Sequence, residues 1–202
     1  MALGSGLGVA IIVKTPLIKE PLVLPTEIGH LQVPAVCAED PNSQEEYALI
    51  QHVSNHYYNG TQMPEYEDFS SGRGIQLCYQ FFLQRDKGQH VPMEQINAGD
   101  VAQKAKEGDR TAKAALFWCY KLFVRCAKEV GTSLCCDSLL MALDNQVRNL
   151  WFMEAVSDEL KEEFYNFIRP DWMKGLRVYT QTKILNFNLL GVDYMAHRLA
   201  SK

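Results

Sequence analysis

The sequence is short of the features that would place it in several large protein classes. No apolar run reaches the roughly 18 residues that a membrane-spanning helix needs. Lys and Arg (20) are outnumbered by Asp and Glu (24), giving a net charge of −4. An acidic chain exerts no electrostatic pull on a nucleic-acid backbone or an anionic membrane, so neither is expected as a partner. Six cysteines stand at positions 37, 78, 119, 126, 135 and 136, and none forms a Cys-x-x-Cys pair. Three of them fall in helix-like or buried-strand patterns, which predicts reduced thiols in a cytoplasmic protein rather than a disulfide framework. The opening Met1-Ala2-Leu3-Gly4 lacks the basic stretch of a secretory leader, and the closing Leu199-Ala200-Ser201-Lys202 lacks the leucine that would complete a Ser-Lys-Leu address. Without a leader, the Asn59-Gly60-Thr61 match to a glycosylation site reads as chance. There is no internal repeat and no low-complexity tract.

What is present is an ordinary globular composition. The 202 residues are 47% hydrophobic and 22% charged, enough for one domain or one lobe of a two-lobe enzyme. Val9-Ala10-Ile11-Ile12-Val13 is a β-branched run that reads as a buried strand, and Leu22-Val23-Leu24 reads as its partner across a turn containing Pro16. Ser43 and Glu46 have the spacing of a capping box, predicting a helix over 43–53. A turn at Ser71-Gly72-Arg73-Gly74 precedes a helical stretch with Ile75, Cys78, Tyr79 and Phe82 on one side. Asp100 and Asp109 are expected N-caps. After Asp109 the residues Ala112, Ala115, Leu116, Cys119, Leu122, Phe123, Cys126 and Val130 trace one apolar helical face. A buried strand is expected over 138–143, a helix capped by Ser157 to about residue 167, a strand at 177–179 and a last helix over 186–199. Strands alternating with helices predict an α/β protein whose ligands gather at strand ends.

Several short constellations lie at such ends. Leu3-Gly4-Ser5-Gly6-Leu7-Gly8 is a glycine-rich loop leading into a strand, so it is not a dinucleotide-binding fingerprint, which leads into a helix. Its backbone N–H groups and the Ser5 hydroxyl suit phosphate oxygens, although a plain turn fits equally. Glu27-Ile28-Gly29-His30 sets a carboxylate and an imidazole three residues apart, a pair suited to sugar hydroxyls or to a solvated loop. Glu67 alone reads as surface charge. Asp144-Asn145, after a strand, suits a ribose or a helix cap. His52-x-x-x-His56 has the spacing of metal ligands but no third partner, and reads as a solvated helix face.

Taken together in this order, the pieces resemble the bacterial-type glucokinase family, most closely its protist members. Gly4-Ser5-Gly6-Leu7-Gly8 is similar to the family's Gly-Thr-Gly-Leu-Gly phosphate loop, and Glu27-Ile28-Gly29-His30 to its Glu-x-Gly-His sugar motif. Glu67, five residues before Gly72-Arg73-Gly74, matches the third glucose-binding carboxylate. The tail from Gln181 to Gly191, with Asp144-Asn145, resembles the protist form. The resemblance implies the large C-terminal lobe of an actin-like ATPase (hexokinase, RNase H-like) fold, a mixed sheet with flanking helices spanning residues 1–202. It implies an ATP-dependent glucokinase that phosphorylates the 6-hydroxyl of glucose in the first step of glycolysis, with Mg2+ on the nucleotide and a cytoplasmic location. Glu27, His30 and Glu67 would grip glucose; Gly4, Ser5 and Gly6 would meet ATP phosphates; Asp144 and Asn145 would lie near the adenosine. Two departures stand out: Ser5 replaces threonine, and Asp144-Asn145 stand where many bacterial members carry Gly-Gly.

The family's general base is an aspartate in an Asn-Asp motif on the first lobe, beside an Asp-Gly-Gly-Thr phosphate loop, and neither string is found here. The chain is therefore expected to be inactive alone, with no catalytic residue of its own. Leu189, Leu190 and Met195 on the last helix are expected to be exposed without that lobe and to favour self-association. Alternatives are a kinase for another hexose and a non-catalytic sugar-binding or interaction protein derived from a kinase lobe.

Overall fold

The glycine-rich loop turns the chain back on itself and starts the sheet. The computed structural model describes residues 1–35, 40, 42–142, 144–185 and 187–200, without the side chains of Asp144, Phe187 and Asn188. Strand β1 (Ala2–Leu3) passes through the loop into β2 (Leu7–Val13), and β3 (Leu22–Thr26) returns along it. Both pairings are antiparallel, with Leu3 opposite Leu7 and Val9 opposite Thr26. Strands β4 (Ser138–Met141) and β5 (Arg177–Thr180) pair in parallel. A parallel bridge between Ala2 and Ala142 joins the two parts, with Leu3 N donating to Ala142 O (3.3 Å) and Ala142 N donating to Met1 O (2.9 Å). A three-stranded antiparallel sheet, β1-β2-β3, is thereby bridged to a two-stranded parallel sheet, β4-β5.

The two strands expected to be buried throughout are buried on one face only. Leu7 and Val9 of β2 are buried, but Ile12 is 67% exposed; Leu139 and Met141 of β4 are buried, but Leu140 is exposed. A strand alternates its side chains between two faces, and an unbroken apolar run does not say whether both are covered. Leu143, the expected last strand residue, lies outside the described residues.

Helices fill the space behind the sheet: α1 (Ser43–Tyr58), α2 (Tyr66–Phe69), α3 (Gly72–Lys87), α4 (Ala98–Lys106), α5 (Arg110–Leu134), α6 (Asp144–Arg148), α7 (Leu150–Ala155), α8 (Ser157–Tyr165), α9 (Pro170–Gly175) and α10 (Phe187–Ala200). The axis of the core is α5, against which α2, α3, α4 and α8 pack. Every residue of its expected apolar face, from Ala112 to Val130, is buried. Asp109 caps it as expected, its Oδ1 accepting from Ala112 N at 2.8 Å. Cys78, Cys119 and Cys126 are buried in this core, and burial pushes the Cys119 and Cys126 thiols up to about 12, where they are unreactive. Cys135 is exposed and Cys136 half-buried; Cys37 lies outside the described residues.

Three helix starts differ from the sequence expectation. The N-cap of α4 is Asn97, whose Oδ1 accepts from Gly99 N and Asp100 N, so Asp100 sits in the first turn instead. Ser157 lies inside α8, after Val156. The N-cap of α1 is Asn42, and Glu46 does not complete a capping box with Ser43. Its carboxylate is buried and accepts from Arg125 Nη1 and, at 3.1 Å, from Arg125 Nη2. Arg125 Nε also donates to Glu163 Oε1 on α8 at 2.8 Å, and Lys128 Nζ donates to Glu163 O at 2.9 Å. With Lys121 within 4 Å of both carboxylates, these charges clamp α1, α5 and α8 together. The last helix, α10, differs from the rest: Leu189, Leu190, Val192, Tyr194, Met195 and Leu199 are all exposed. Asn186, its expected first residue, lies outside the described residues.

Candidate functional site

The site is assembled around the first residue of β2. Leu7 N donates to Glu67 Oε2 at 2.9 Å, and Arg73 Nη2 donates to Glu67 Oε1 at 3.1 Å. A Cβ on Gly6 would stand 2.5 Å from Glu67 Oε2, so the carboxylate reaches β2 because residue 6 carries no side chain. Gly72 N donates to Gly4 O at 3.0 Å, and Gly4 N donates to Gly6 O at 2.9 Å. The glycine-rich loop and the start of α3 are thereby one unit. The Ser71-Gly72-Arg73-Gly74 string is the helix start itself rather than a turn before it, with Ser71 Oγ accepting from Gly74 N at 3.0 Å.

The Glu27-Ile28-Gly29-His30 segment lies against the other side of the same residue. It forms a single 3-10 turn over Ile28–His30. A Cβ on Gly29 would lie 2.1 Å from Leu7 O, a contact no side chain allows. Beyond it, Gln32 bridges Glu65, with Tyr66 N donating to Leu31 O and Val33 N to Pro64 O, each at 2.9 Å. This pairing brings His30 to the residues before α2. His30 Nδ1 is 2.6 Å from Glu65 Oε2, and its Nε2 is 3.7 Å from Glu27 Oε2. The imidazole pKa is raised, chiefly by the hydrogen bond to Glu65. Burial offsets part of this, and the charges of Glu65, Glu67 and Glu27 add to it.

A cleft of about 600 Å³ opens beside this assembly, walled by Ser5, Gly6, Glu67, Arg73, Gln76 and Asn97 among others. Glu27 and His30 are not part of its wall; they join it through Glu67, whose charge His30 faces. Gly4, Ser5, Gly6, Glu27, His30 and Glu67 are thus brought together. Asp144 and Asn145 stand apart, at the start of α6, which packs on β1. Because β1 and β4 run parallel, the glycine-rich loop and the α6 start leave the sheet at the same end. The Asn145 Oδ1 accepts from Asn149 Nδ2 at 2.8 Å and lies 3.4 Å from the Tyr120 hydroxyl. The side chain of Asp144 lies outside the described residues.

Two site residues were not singled out from the sequence. Arg73 and Glu65 each bond a residue that was singled out, Arg73 to Glu67 and Glu65 to His30. A faint signal existed for the second, since Glu65, Glu67 and Asp68 make the segment before the Ser-Gly-Arg-Gly string strongly acidic. His52, expected to be solvated, is instead half-buried with its Nε2 3.1 Å from Gln80 Oε1, and burial lowers its pKa. Among the described residues no group of three or more His, Cys, Asp or Glu side chains is disposed to hold a metal. Among the described residues no helix is long and apolar enough to cross a membrane.

The sheet and its flanking helices, with the glycine-rich loop and the carboxylate–imidazole set at one end, have the α/β actin-like ATPase fold of sugar kinases. The glucokinase family model matches residues 1–136. Over its full 202 residues the chain is 55% identical to a probable glucokinase 2 and 54% identical to a glucokinase 1, both of Trichomonas vaginalis, and covers 54% of each. It is also similar to the solved structure of a glucokinase from Balamuthia mandrillaris in complex with glucose, with a TM-score of 0.89 and 32% identity over 97% of this chain and 52% of that one. The chain belongs to the glucokinase family. It spans about half the length of the relatives it matches.

Proposed function

We propose that residues 1–202 form the large C-terminal lobe of an ATP-dependent glucokinase, the lobe that recognises glucose and the nucleotide. The observation that carries this is the convergence of Glu27, His30 and Glu67 with Ser5 and Gly6 around the first residue of β2. Ionised carboxylates accept hydrogen bonds from sugar hydroxyls, and a neutral imidazole accepts at one nitrogen and donates at the other. The similarity to a glucokinase solved with glucose supports the same reading.

ATP would place its phosphates on Ser5 and Gly6, which wall the cleft, while Gly4 shapes the loop by its bond to Gly6. The adenosine would lie toward Asp144 and Asn145, at the same sheet end. Mg2+ would arrive on the phosphates and keep several waters, so it needs no dedicated protein cage. In the reaction the 6-hydroxyl oxygen bonds to the terminal phosphorus, the bond from that phosphorus to its bridging oxygen breaks, ADP leaves, and the hydroxyl proton passes to a carboxylate. That carboxylate belongs to the first lobe in this reading, and so the chain alone binds glucose without phosphorylating it. In the whole enzyme the product would enter glycolysis in the cytoplasm.

Titration calorimetry of the chain with glucose tests the reading: saturable heat is expected, and its absence overturns it. A coupled assay tests the division of labour. Losing a general base costs about 10²–10⁴ in rate, and glucose 6-phosphate formed by residues 1–202 at ordinary kinase rates would refute the assignment of the base to the first lobe. The exposed apolar side chains of α10, including Leu189, Leu190 and Met195, support self-association through the face that the first lobe would cover.

A further inference from the structure

His30 is held from one side by a residue that the sugar motif does not contain. Its Nδ1 lies 2.6 Å from Glu65 Oε2, a contact made across 35 positions of sequence. The approach is built by backbone pairing, since Tyr66 N donates to Leu31 O and Gln32 bridges Glu65. Glu65 is itself anchored, its own N donating to Asp68 Oδ2 at 2.8 Å, and that oxygen also accepts from the Tyr58 hydroxyl at 2.8 Å. The Glu65 side chain is 31% exposed, against 89% for Glu27. Glu65 is thus the more restrained of the two carboxylates beside the ring.

We propose that Glu65 is a positioning residue for His30, pinning the Nδ1 proton so that Nε2 is presented to the sugar as a bare acceptor beside Glu27. An ionised carboxylate only accepts, so the ring nitrogen facing it must carry the proton. In the neutral ring the other nitrogen is then left with a free lone pair. The gap of 3.7 Å between Nε2 and Glu27 Oε2 is too long for a direct hydrogen bond. Two neighbouring sugar hydroxyls can therefore donate one to each. The inference rests on the glucose-binding reading given above and adds a residue and a protonation state to it.

A sign follows for pH. The charged groups facing the ring are Glu65, Glu67 and Glu27, all acidic, and together they hold its proton to higher pH than usual. Once protonated, Nε2 no longer accepts, so glucose affinity falls as pH drops through the ring's pKa. Glu65→Gln removes one negative charge but keeps an oxygen acceptor for the Nδ1 proton, so the ring loses its proton at lower pH.

The experiment is calorimetric titration of the full chain with D-glucose over a pH series, alongside the NMR titration of the His30 ring, assigned by its loss in His30→Gln. Both the ring midpoint and the acid limb of glucose affinity are expected to move to lower pH in Glu65→Gln. The limb should vanish in His30→Gln. Glu65→Ala, which removes the pin, should weaken glucose by about tenfold at neutral pH, the worth of roughly one hydrogen bond to a charged group. Circular dichroism melts of each variant confirm that it is folded. Glucose binding whose acid limb stays in place in Glu65→Gln, or persists in His30→Gln, overturns the inference alone. Absence of glucose binding by the unsubstituted chain at every pH overturns the glucose-binding reading and this inference with it.

Discussion

This fold holds two clusters of carboxylates and cations, with similar side chains and different environments. Glu46 and Glu163 are buried against Arg125, Lys121 and Lys128, and each charge has a counter-charge within reach. Glu27, Glu65 and Glu67 share one imidazole and one guanidinium, and Glu27 is open to solvent while Glu67 walls the cleft. In the first cluster the hydrogen-bonding capacity is spent on the protein, which fixes three helices. In the second it is left over, which is what a polyhydroxylated ligand requires. Charge alone does not separate structural from functional residues; unspent hydrogen-bonding capacity beside a cleft does.

The sharpest way to break the comparison is to exchange the effects. Arg125→Met leaves two buried carboxylates without their bidentate partner and should cost about 3–5 kcal/mol of stability, read as a lowered urea midpoint. Glucose affinity of the folded fraction should be unchanged. Gly29→Ala forces a methyl group into Leu7 O, where neither backbone segment has room. A loss of about 1–3 kcal/mol in stability is expected, here together with weakened glucose binding, because the turn that carries His30 must shift. Glu67→Gln should do the reverse of Arg125→Met. Glucose is expected to bind about tenfold more weakly, while the urea midpoint stays close to that of the unsubstituted chain.

Acid unfolding separates the clusters by sign. Burial alone would raise the pKa of Glu163, but the hydrogen bond and charge of Arg125, with Lys128 and Lys121, hold it below its ordinary 4.5. A depressed folded-state pKa adds stability at pH above that ordinary value and loses it as pH falls through the folded-state value. The His30 shift runs the other way: a raised pKa adds stability at low pH that disappears as pH rises through it. Between pH 5 and 3, urea titrations of Glu163→Gln should therefore show a flatter pH dependence than the unsubstituted chain. The smallest effect concerns α10. Sedimentation velocity at high concentration should show self-association that Leu189→Ser with Met195→Ser reduces, and a single monomeric boundary at all concentrations would remove the α10 interface.

The helix α5 was legible because its apolar residues recur on one face over its whole length, and all of them are buried. The glycine-rich loop and the Glu27–His30 segment were legible as short contiguous strings. Glu46 misled, because the sequence offered a local partner in Ser43 while the fold supplied a distant one in Arg125. Glu65 and Arg73 were hidden for a related reason. Their roles exist only once the segments around residues 30 and 65 pair and α3 begins against the loop. Local rules find caps and faces, but they do not find a partner brought in by chain topology. The exposed side chains of β2 and β4 show the same limit, since covering a strand's second face is a property of the neighbours.

One consequence of the bridge between Ala2 and Ala142 concerns how the sheet transmits motion. β1 is two residues long, yet it is the seam between the panel that carries the glycine-rich loop and the panel that leads to Asn145. Its cross-strand bonds run through the amides of Leu3 and Ala142. Those two amides act as a clock for the seam: if the panels rock relative to one another, their hydrogen exchange quickens before that of the buried α5. A seam two residues wide is the geometry of a narrow hinge, with few bonds to break when one panel turns against the other.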